Sequence, residues 1–149
     1  MFVDLDNFKQ INDKFGHAFG DKLIIEFSRV ITKIMPGSVT ISRFGGDEFV
    51  LLFSGLSENK DTAAFQSEQM AEVLLNSITS GLNIGEQNVY ISSSIGITVS
   101  DCVDDTVSTL LMQADTAMYQ AKEMGKKTFS IYSESIGERM ADVFKMEVD

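Results

Sequence analysis

The segment Arg43-Phe44-Gly45-Gly46-Asp47-Glu48-Phe49 sits between a β-branched run, Val39-Thr40-Ile41-Ser42, and an apolar run, Val50-Leu51-Leu52-Phe53. Two strand-forming runs joined by paired glycines predict a tight hairpin over Val39 to Phe53, because the favoured two-residue turns need φ > 0 and glycine adopts it freely. Asp47 and Glu48 are unusual at the opening of a strand, where acids are depleted. Side-chain alternation would put them on opposite faces. A hairpin with a polar tip accounts for one acid. Two acids beside bare glycine suit a place where backbone and carboxylate approach a ligand or metal.

The rest of the chain supplies layers for this hairpin. Phe2-Val3-Asp4-Leu5 reads as a strand, with Asp6 as the N-cap of a short helix through Lys14 that stops at Gly16. A helix from Asp21 to Lys33 carries Leu23, Phe27, Val30, Ile31 and Ile34 as one apolar stripe and ends at Pro36-Gly37. Asp61 or Thr62 caps a third helix to Ile78, with Phe65, Met70, Val73 and Leu74 as its buried face and Gly81 as its stop. Leu82 to Ile84 and Val89 to Val99 form a second hairpin, turning at Gly85-Glu86-Gln87, with Gly96 as a bulge in the long return strand. A fourth helix from Ser108 to Met124 ends at Gly125, and Thr128 to Tyr132 is a last strand. The order β-α-α-β-β-α-β-β-α-β predicts an α+β fold: a mostly antiparallel sheet with helices around it. We expect residues 1–132 to form one domain. Residues 133–149 are expected to form a charged linker helix with Ile136, Met140, Val143 and Phe144 on one face.

Composition excludes several classes. The formal net charge is -10, from 12 basic and 22 acidic residues, so there is no basic face for nucleic acid. An acidic chain that binds an anion needs metal ions, placed lysines or helix N-termini. The longest apolar run, Phe49 to Phe53, is far short of the ~20 residues needed to span a bilayer. There is no secretory signal pattern, so a cytoplasmic setting is expected, either free or as part of a larger membrane-tethered protein. The single cysteine, Cys102, cannot form an internal disulfide, and its neighbours Asp101, Asp104 and Asp105 disfavour a thiolate.

The remaining chemistry lies in carboxylates. Asp4 falls at the end of an apolar strand, where a helix cap does not explain it. The segment from Asp4 is not a calcium loop, because Phe8, Lys9 and Phe15 stand where that loop needs a ligand, glycine and glutamate. A carboxylate at one strand end and another at the start of a hairpin strand can share hard cations through oxygen. Magnesium prefers one or two protein carboxylates together with phosphate oxygens. That is also the requirement of two-metal nucleotidyl transfer.

Five ordered stretches, Asp4-Leu5-Asp6-Asn7-Phe8-Lys9-Gln10-Ile11-Asn12-Asp13, Gly16-His17-Ala18-Phe19-Gly20-Asp21, Arg43 to Phe49, Ser94-Ile95-Gly96-Ile97 and Ala114 to Lys122, resemble the GGDEF family of diguanylate cyclases. The resemblance implies a nucleotidyl-cyclase palm. It implies condensation of two GTP into cyclic di-GMP with release of two pyrophosphates, in a head-to-head homodimer using two Mg2+ or Mn2+ per site. By position, it makes Asp4, the Leu5 carbonyl, Asp47 and Glu48 metal ligands, with Asp47 the catalytic base and Glu48 its companion. Asn12 and Asp21 would read guanine. Phe8, Lys9, His17, Gly45, Gly46, Lys122 and Lys126 would contact substrate. Read alone, His17 is a loop histidine, and Lys122 and Lys126 are solvated helix charges.

Some family features differ. Pro36-Gly37-Ser38-Val39 replaces the Arg-x-x-Asp of the product-inhibition site, so no inhibitory site is expected. Gly125-Lys126-Lys127 replaces Gly-Arg-Asn, keeping charge but losing the bidentate fork. The family's upstream helix and Asp-x-Leu-Thr-Gly-Leu-x-Asn-Arg segment have no counterpart before Met1, so the resemblance implies an N-terminally truncated domain. The tail from Ser133 resembles the linker to an EAL phosphodiesterase domain. The alternative to the enzyme is a catalytically inactive GTP-binding, dimerising module that regulates a fused EAL partner.

Overall fold

Strand β1 (Phe2–Leu5) runs through the middle of a five-stranded sheet of order β2-β3-β1-β6-β7. The computed structural model describes residues 1–100 and 104–148, so Cys102 lies outside the described residues. β2 (Val39–Gly45) and β3 (Glu48–Phe53) form the expected hairpin, and β3 and β6 (Ser93–Ile97) pair antiparallel with the two sides of β1. β7 (Thr128–Ile131) pairs parallel with β6, which needs a crossover, and α4 (Val107–Glu123) provides it.

Alternation along β1 and β3 assigns the two faces. Val3, Leu5, Phe49 and Leu51 are buried in one large cluster with Leu23, Phe27 and Ile31 of α2 (His17–Ile34) and Ala71, Leu74 and Ile78 of α3 (Lys60–Thr79). Phe27 and Phe49 meet with ring centroids 5.0 Å apart. Burying each of these rings contributes roughly 1.5–3 kcal/mol. Phe2 faces the other way and packs with Ala114 and Met118 of α4, joined by Val50 and Leu111. The sheet is thus a middle layer between α4 and the α2–α3 pair.

Several local expectations are corrected. Asn7, in the left-handed region at φ 59°, occupies the N-cap position of α1 (Phe8–Phe15); it makes no side-chain cap, and Asp6 does not cap the helix either. α2 starts at His17 rather than Asp21. α3 is capped by Asn59, whose side chain accepts from the Thr62 N–H. Phe65 and Val73 are exposed on α3. Its small residues Ala63, Ser67 and Ala71 face inward instead, because the helix lies close to its neighbours. The long return strand is broken. β4 (Leu82–Ile84) and β5 (Gln87–Val89) form a separate two-stranded sheet, and β6 begins only at Ser93.

Gly96 is not a bulge, since it stays in register with Phe2 and Ser130. A Cβ there would overlap the Ala114 carbonyl oxygen and the Met118 amide nitrogen, so the glycine sets how closely α4 approaches the sheet. α5 (Glu134–Val148) lies against α4: Met140 is buried, and the Phe144 ring lies 4.7 Å from that of Tyr119. The apolar stripe of the tail therefore docks within this chain. Among the described residues no helix is long and apolar enough to cross a membrane.

Candidate active site

The hairpin turn has the expected two-residue loop but lies one residue further along the chain than the paired glycines predict. Gly45 pairs with Glu48, leaving Gly46 and Asp47 as the two-residue loop, with a register irregularity between Arg43 and Gly45. Gly46 has φ 42°, which favours glycine there. Arg43 locks the loop by donating from Nε and Nη2 to the Gly46 carbonyl at 2.9 and 2.6 Å. The Asp47 carbonyl in turn accepts from the Leu5 N–H at 3.2 Å, tying the turn to the end of β1.

This geometry changes the face assignment of the acids. Asp47 belongs to the turn, so strand alternation does not apply to it. Glu48 opens β3 directly opposite Asp4 in the antiparallel register. Side chains opposite one another share a face. Asp4 and Glu48 therefore project on the α4 side of the sheet, where Lys122 reaches in from the last turn of the helix. Its Nζ lies 3.1 Å from Asp4 Oδ1. Burial pushes the Asp4 carboxyl up to about 6; the Lys122 charge and hydrogen bond oppose the rise, and the charges of Asp47 and Glu48 add to it. Glu48 is also raised, first by burial, then by Asp115 and Asp47, with Lys122 opposing. The sequence expectation that Asp47 opens the strand is corrected: it belongs to the turn, Glu48 opens β3, and the charges of both add to the rise of Asp4.

The metal residues proposed from sequence thus meet at one end of the sheet. Leu5 follows Asp4 at the strand end, so its carbonyl is at the same edge. Among the described residues no three or more His, Cys, Asp or Glu side chains are already gathered into a ligand set. The donors nevertheless suit a hard divalent ion, because all are oxygens and three carboxylates are offset by one ammonium. A cation of higher charge would relieve the crowding that raises Asp4 and Glu48.

The proposed substrate contacts form a second group, joined to the first through Asp6 and Asn7. Phe8 and Asn12 lie one turn apart on α1. Asn12 Oδ1 is buried without a hydrogen-bond partner among the described residues. It rests on Gly20, where any Cβ would overlap it. Gly20 precedes Asp21, and His17 and Asp21 are exposed one turn apart at the start of α2. The unpaired Asn12 carboxamide oxygen and the exposed Asp21 carboxylate are both hydrogen-bond acceptors, the first of them buried against Gly20. Lys9 is exposed on α1. Lys126, in the left-handed region, donates from Nζ to Asn7 Oδ1 at 2.8 Å. A cleft of about 920 Å³ lies beyond Asp6 and Asn7, between Gln10, Lys14 and Phe15 on one side and Asn88, Tyr90 and Ser92 on the other. It contains none of the carboxylates Asp4, Asp47 and Glu48.

Sequence reasoning missed the work of Asp6. This buried carboxylate accepts from Ser92 Oγ and Ser94 Oγ, each at 2.6 Å, and from the Lys127 N–H at 3.1 Å. It holds β1, the entry to β6 and the loop carrying Lys126 together. The run Ser92-Ser93-Ser94 at the start of an otherwise apolar strand was the available signal. Asp6→Ala leaves these donors unpaired, so a loss of about 2–4 kcal/mol is expected in urea denaturation, with faster hydrogen exchange at the Lys127 amide. Asp6→Asn retains one acceptor and is expected to lose less.

Comparison with known proteins places this geometry. The sequence model described as "Diguanylate cyclase, GGDEF domain" matches residues 1–128. The cyclic di-GMP phosphodiesterase PdeR of Escherichia coli is 34% identical over all 149 residues, which cover 22% of its length. The bifunctional diguanylate cyclase/cyclic di-GMP phosphodiesterase MucR of Pseudomonas aeruginosa is 39% identical over 91% of this chain and 19% of its own length. This chain thus spans about a fifth of these relatives. The solved structure of an N-terminally deleted TpbB from Pseudomonas aeruginosa, comprising only its GGDEF domain, superposes with a TM-score of 0.85 at 29% identity, covering 94% of this chain and 79% of that one. With the family's Gly-Gly-Asp-Glu-Phe signature at the hairpin, its aspartate at the end of β1 and its fold all present, this chain belongs to the GGDEF domain family of diguanylate cyclases.

Proposed function

We propose that this chain condenses two GTP molecules into cyclic di-GMP, each subunit of a head-to-head homodimer presenting one GTP. The observation that carries this reading is the cross-strand pair Asp4–Glu48 beside the Asp47 turn. The 3′-oxygen of each GTP bonds to the α-phosphorus of the other, the α–β phosphoanhydride bond breaks, and pyrophosphate leaves. The reaction occurs twice per product. Asp47, in an accessible turn, takes the proton of the attacking hydroxyl. Asp4, the Leu5 carbonyl, Asp47 and Glu48 would hold two Mg2+ or Mn2+ ions, which when bound supply charge neutralisation at the triphosphate. Lys9, Lys122 and Lys126 face the phosphates, and the bare backbone at Gly45 and Gly46 lets the nucleotide approach. Asn12 and Asp21 read the guanine edge, with Phe8 and His17 beside them. No feedback through an Arg-x-x-Asp site is expected, since Pro36–Val39 lack it.

The decisive measurement is chromatographic assay of cyclic di-GMP after incubating the chain with GTP and Mg2+. Asp47→Ala is expected to lower the rate by about 10²–10⁴-fold. Equal product from both proteins, or none from either, removes the catalytic assignment for this chain. A second reading is favoured by the whole-length match to a protein named as a phosphodiesterase. In it, the chain binds GTP without turnover and regulates a fused EAL domain; GTP binding by calorimetry with no product would select it.

A further inference from the structure

The Lys122–Asp4 ion pair sits at the centre of the carboxylate cluster. Their side chains are 30% and 10% exposed, so this is a shielded contact rather than a surface one. The other nearby cations are engaged elsewhere: Arg43 with the Gly46 carbonyl and Lys126 with Asn7. The helix beneath Lys122 is fixed, because Ala117, Met118 and Ala121 are buried and Gly96 seats α4 directly on the sheet. Only the flexible four-carbon side chain is free to move.

We infer that Lys122 is a built-in counter-ion that holds Asp4 in the metal-free protein and has to leave it before a divalent cation can bind there. The inference rests on the proposed nucleotidyl-transfer site. A cation arriving alone competes with the ammonium for one carboxylate. A cation arriving with a triphosphate does not, because the displaced ammonium gains phosphate oxygens as new partners. Metal and nucleotide therefore bind with positive coupling, and Lys122 carries much of it. The site stays electrostatically filled until both are present, which suppresses binding of free metal.

The test is Mn2+ affinity of the full chain at pH 8, read by the free-ion electron paramagnetic resonance signal, with and without a GTP analogue carrying a methylene bridge between the α- and β-phosphates. Lys122→Gln, which keeps a donor but loses the charge, is expected to bind Mn2+ alone about five- to tenfold more tightly than the wild type, the scale of losing one shielded competing charge. The enhancement of Mn2+ binding by the analogue should shrink by the same factor. Lys122→Arg, which keeps the charge, should not tighten Mn2+ alone. Unchanged or weaker Mn2+ binding by Lys122→Gln, while Asp4→Asn abolishes binding, overturns the counter-ion role and leaves the site intact. Mn2+ binding that ignores Asp4→Asn overturns the metal site itself, and the inference with it.

Discussion

Gly96→Ala is expected to cost about 3 kcal/mol or more, or to prevent folding, although the change adds one methyl group. Its Cβ would overlap the Ala114 carbonyl and the Met118 amide nitrogen and lie 2.9 Å from Met118 Cα. All three are helix backbone, which cannot rotate aside as a side chain can. Overpacking of this kind usually costs 1–3 kcal/mol, with higher values where backbone has to shift. Here α4 would have to lift off β6 and β1, opening the packing of Phe2 against Ala114 and Met118 and carrying Lys122 away from Asp4. Gly37→Ala is the control, because a Cβ there meets nothing within 4 Å. Its stability is expected to stay within about 0.5 kcal/mol of the wild type or to rise slightly. Similar urea midpoints for the two variants would mean that α4 does not rest on the sheet at Gly96.

Asp4→Asn is expected to abolish cyclic di-GMP formation, by about 10²-fold or more, while making the metal-free protein more stable at pH 7.5. The two effects have one origin. In the folded protein the Asp4 carboxyl is raised from its ordinary value of 3.8 to about 6, with burial the largest cause. Between those values the folded protein binds the proton and the unfolded chain does not. The stabilisation from this group is therefore complete below about pH 4 and is lost as pH rises through about 6. At neutral pH the ionised carboxylate is held beside Asp47 and Glu48 at a cost that asparagine avoids. Allowing for solvent on the open side of the site, the gain is on the order of 1–2 kcal/mol. Urea melts from pH 4.5 to 8 should show wild-type stability falling towards neutrality and a flatter profile for Asp4→Asn. A variant less stable than the wild type at pH 7.5 would show that the Lys122 contact outweighs the crowding. The expected pattern is that of a functional group kept at the expense of stability.

The fold was largely readable because its elements are periodic. The stripe of Leu23, Phe27 and Ile31 and the alternation in β1 and β3 each report a local fact, namely which side of one element is buried. Pairing over long distance leaves no such mark. Nothing in Ser93-Ser94-Ile95-Gly96-Ile97 announces a parallel partner at Thr128 to Ile131, and a glycine needed for helix approach looks the same as one needed for a bulge. α3 was misjudged for a related reason: Phe65 looks like core, but the space available suits Ala63, Ser67 and Ala71. At the site, the residues themselves pointed to Asp4 and Asp47, and the family resemblance added Glu48 and Lys122, but neither gave the relation among them. A one-residue difference in where the hairpin turns decides which acid stands opposite Asp4, and that depends on Arg43 and Gly46. The role of Asp6 was hidden because its three donors come from the far half of the chain.

The placement of β1 between β3 and β6 has a consequence for synthesis. Of the sheet's strands the central one is made before its neighbours: one side of it waits for β3 at Glu48–Phe53 and the other for β6 at Ser93–Ile97. Asp4 meets Glu48 only when the hairpin docks, and Lys122 only once α4 has followed. Contacts this distant in sequence form late and slowly. A chain halted before α4 holds Asp4 and Glu48 without the Lys122 ammonium, so the charge of this sheet edge is balanced only once α4 docks.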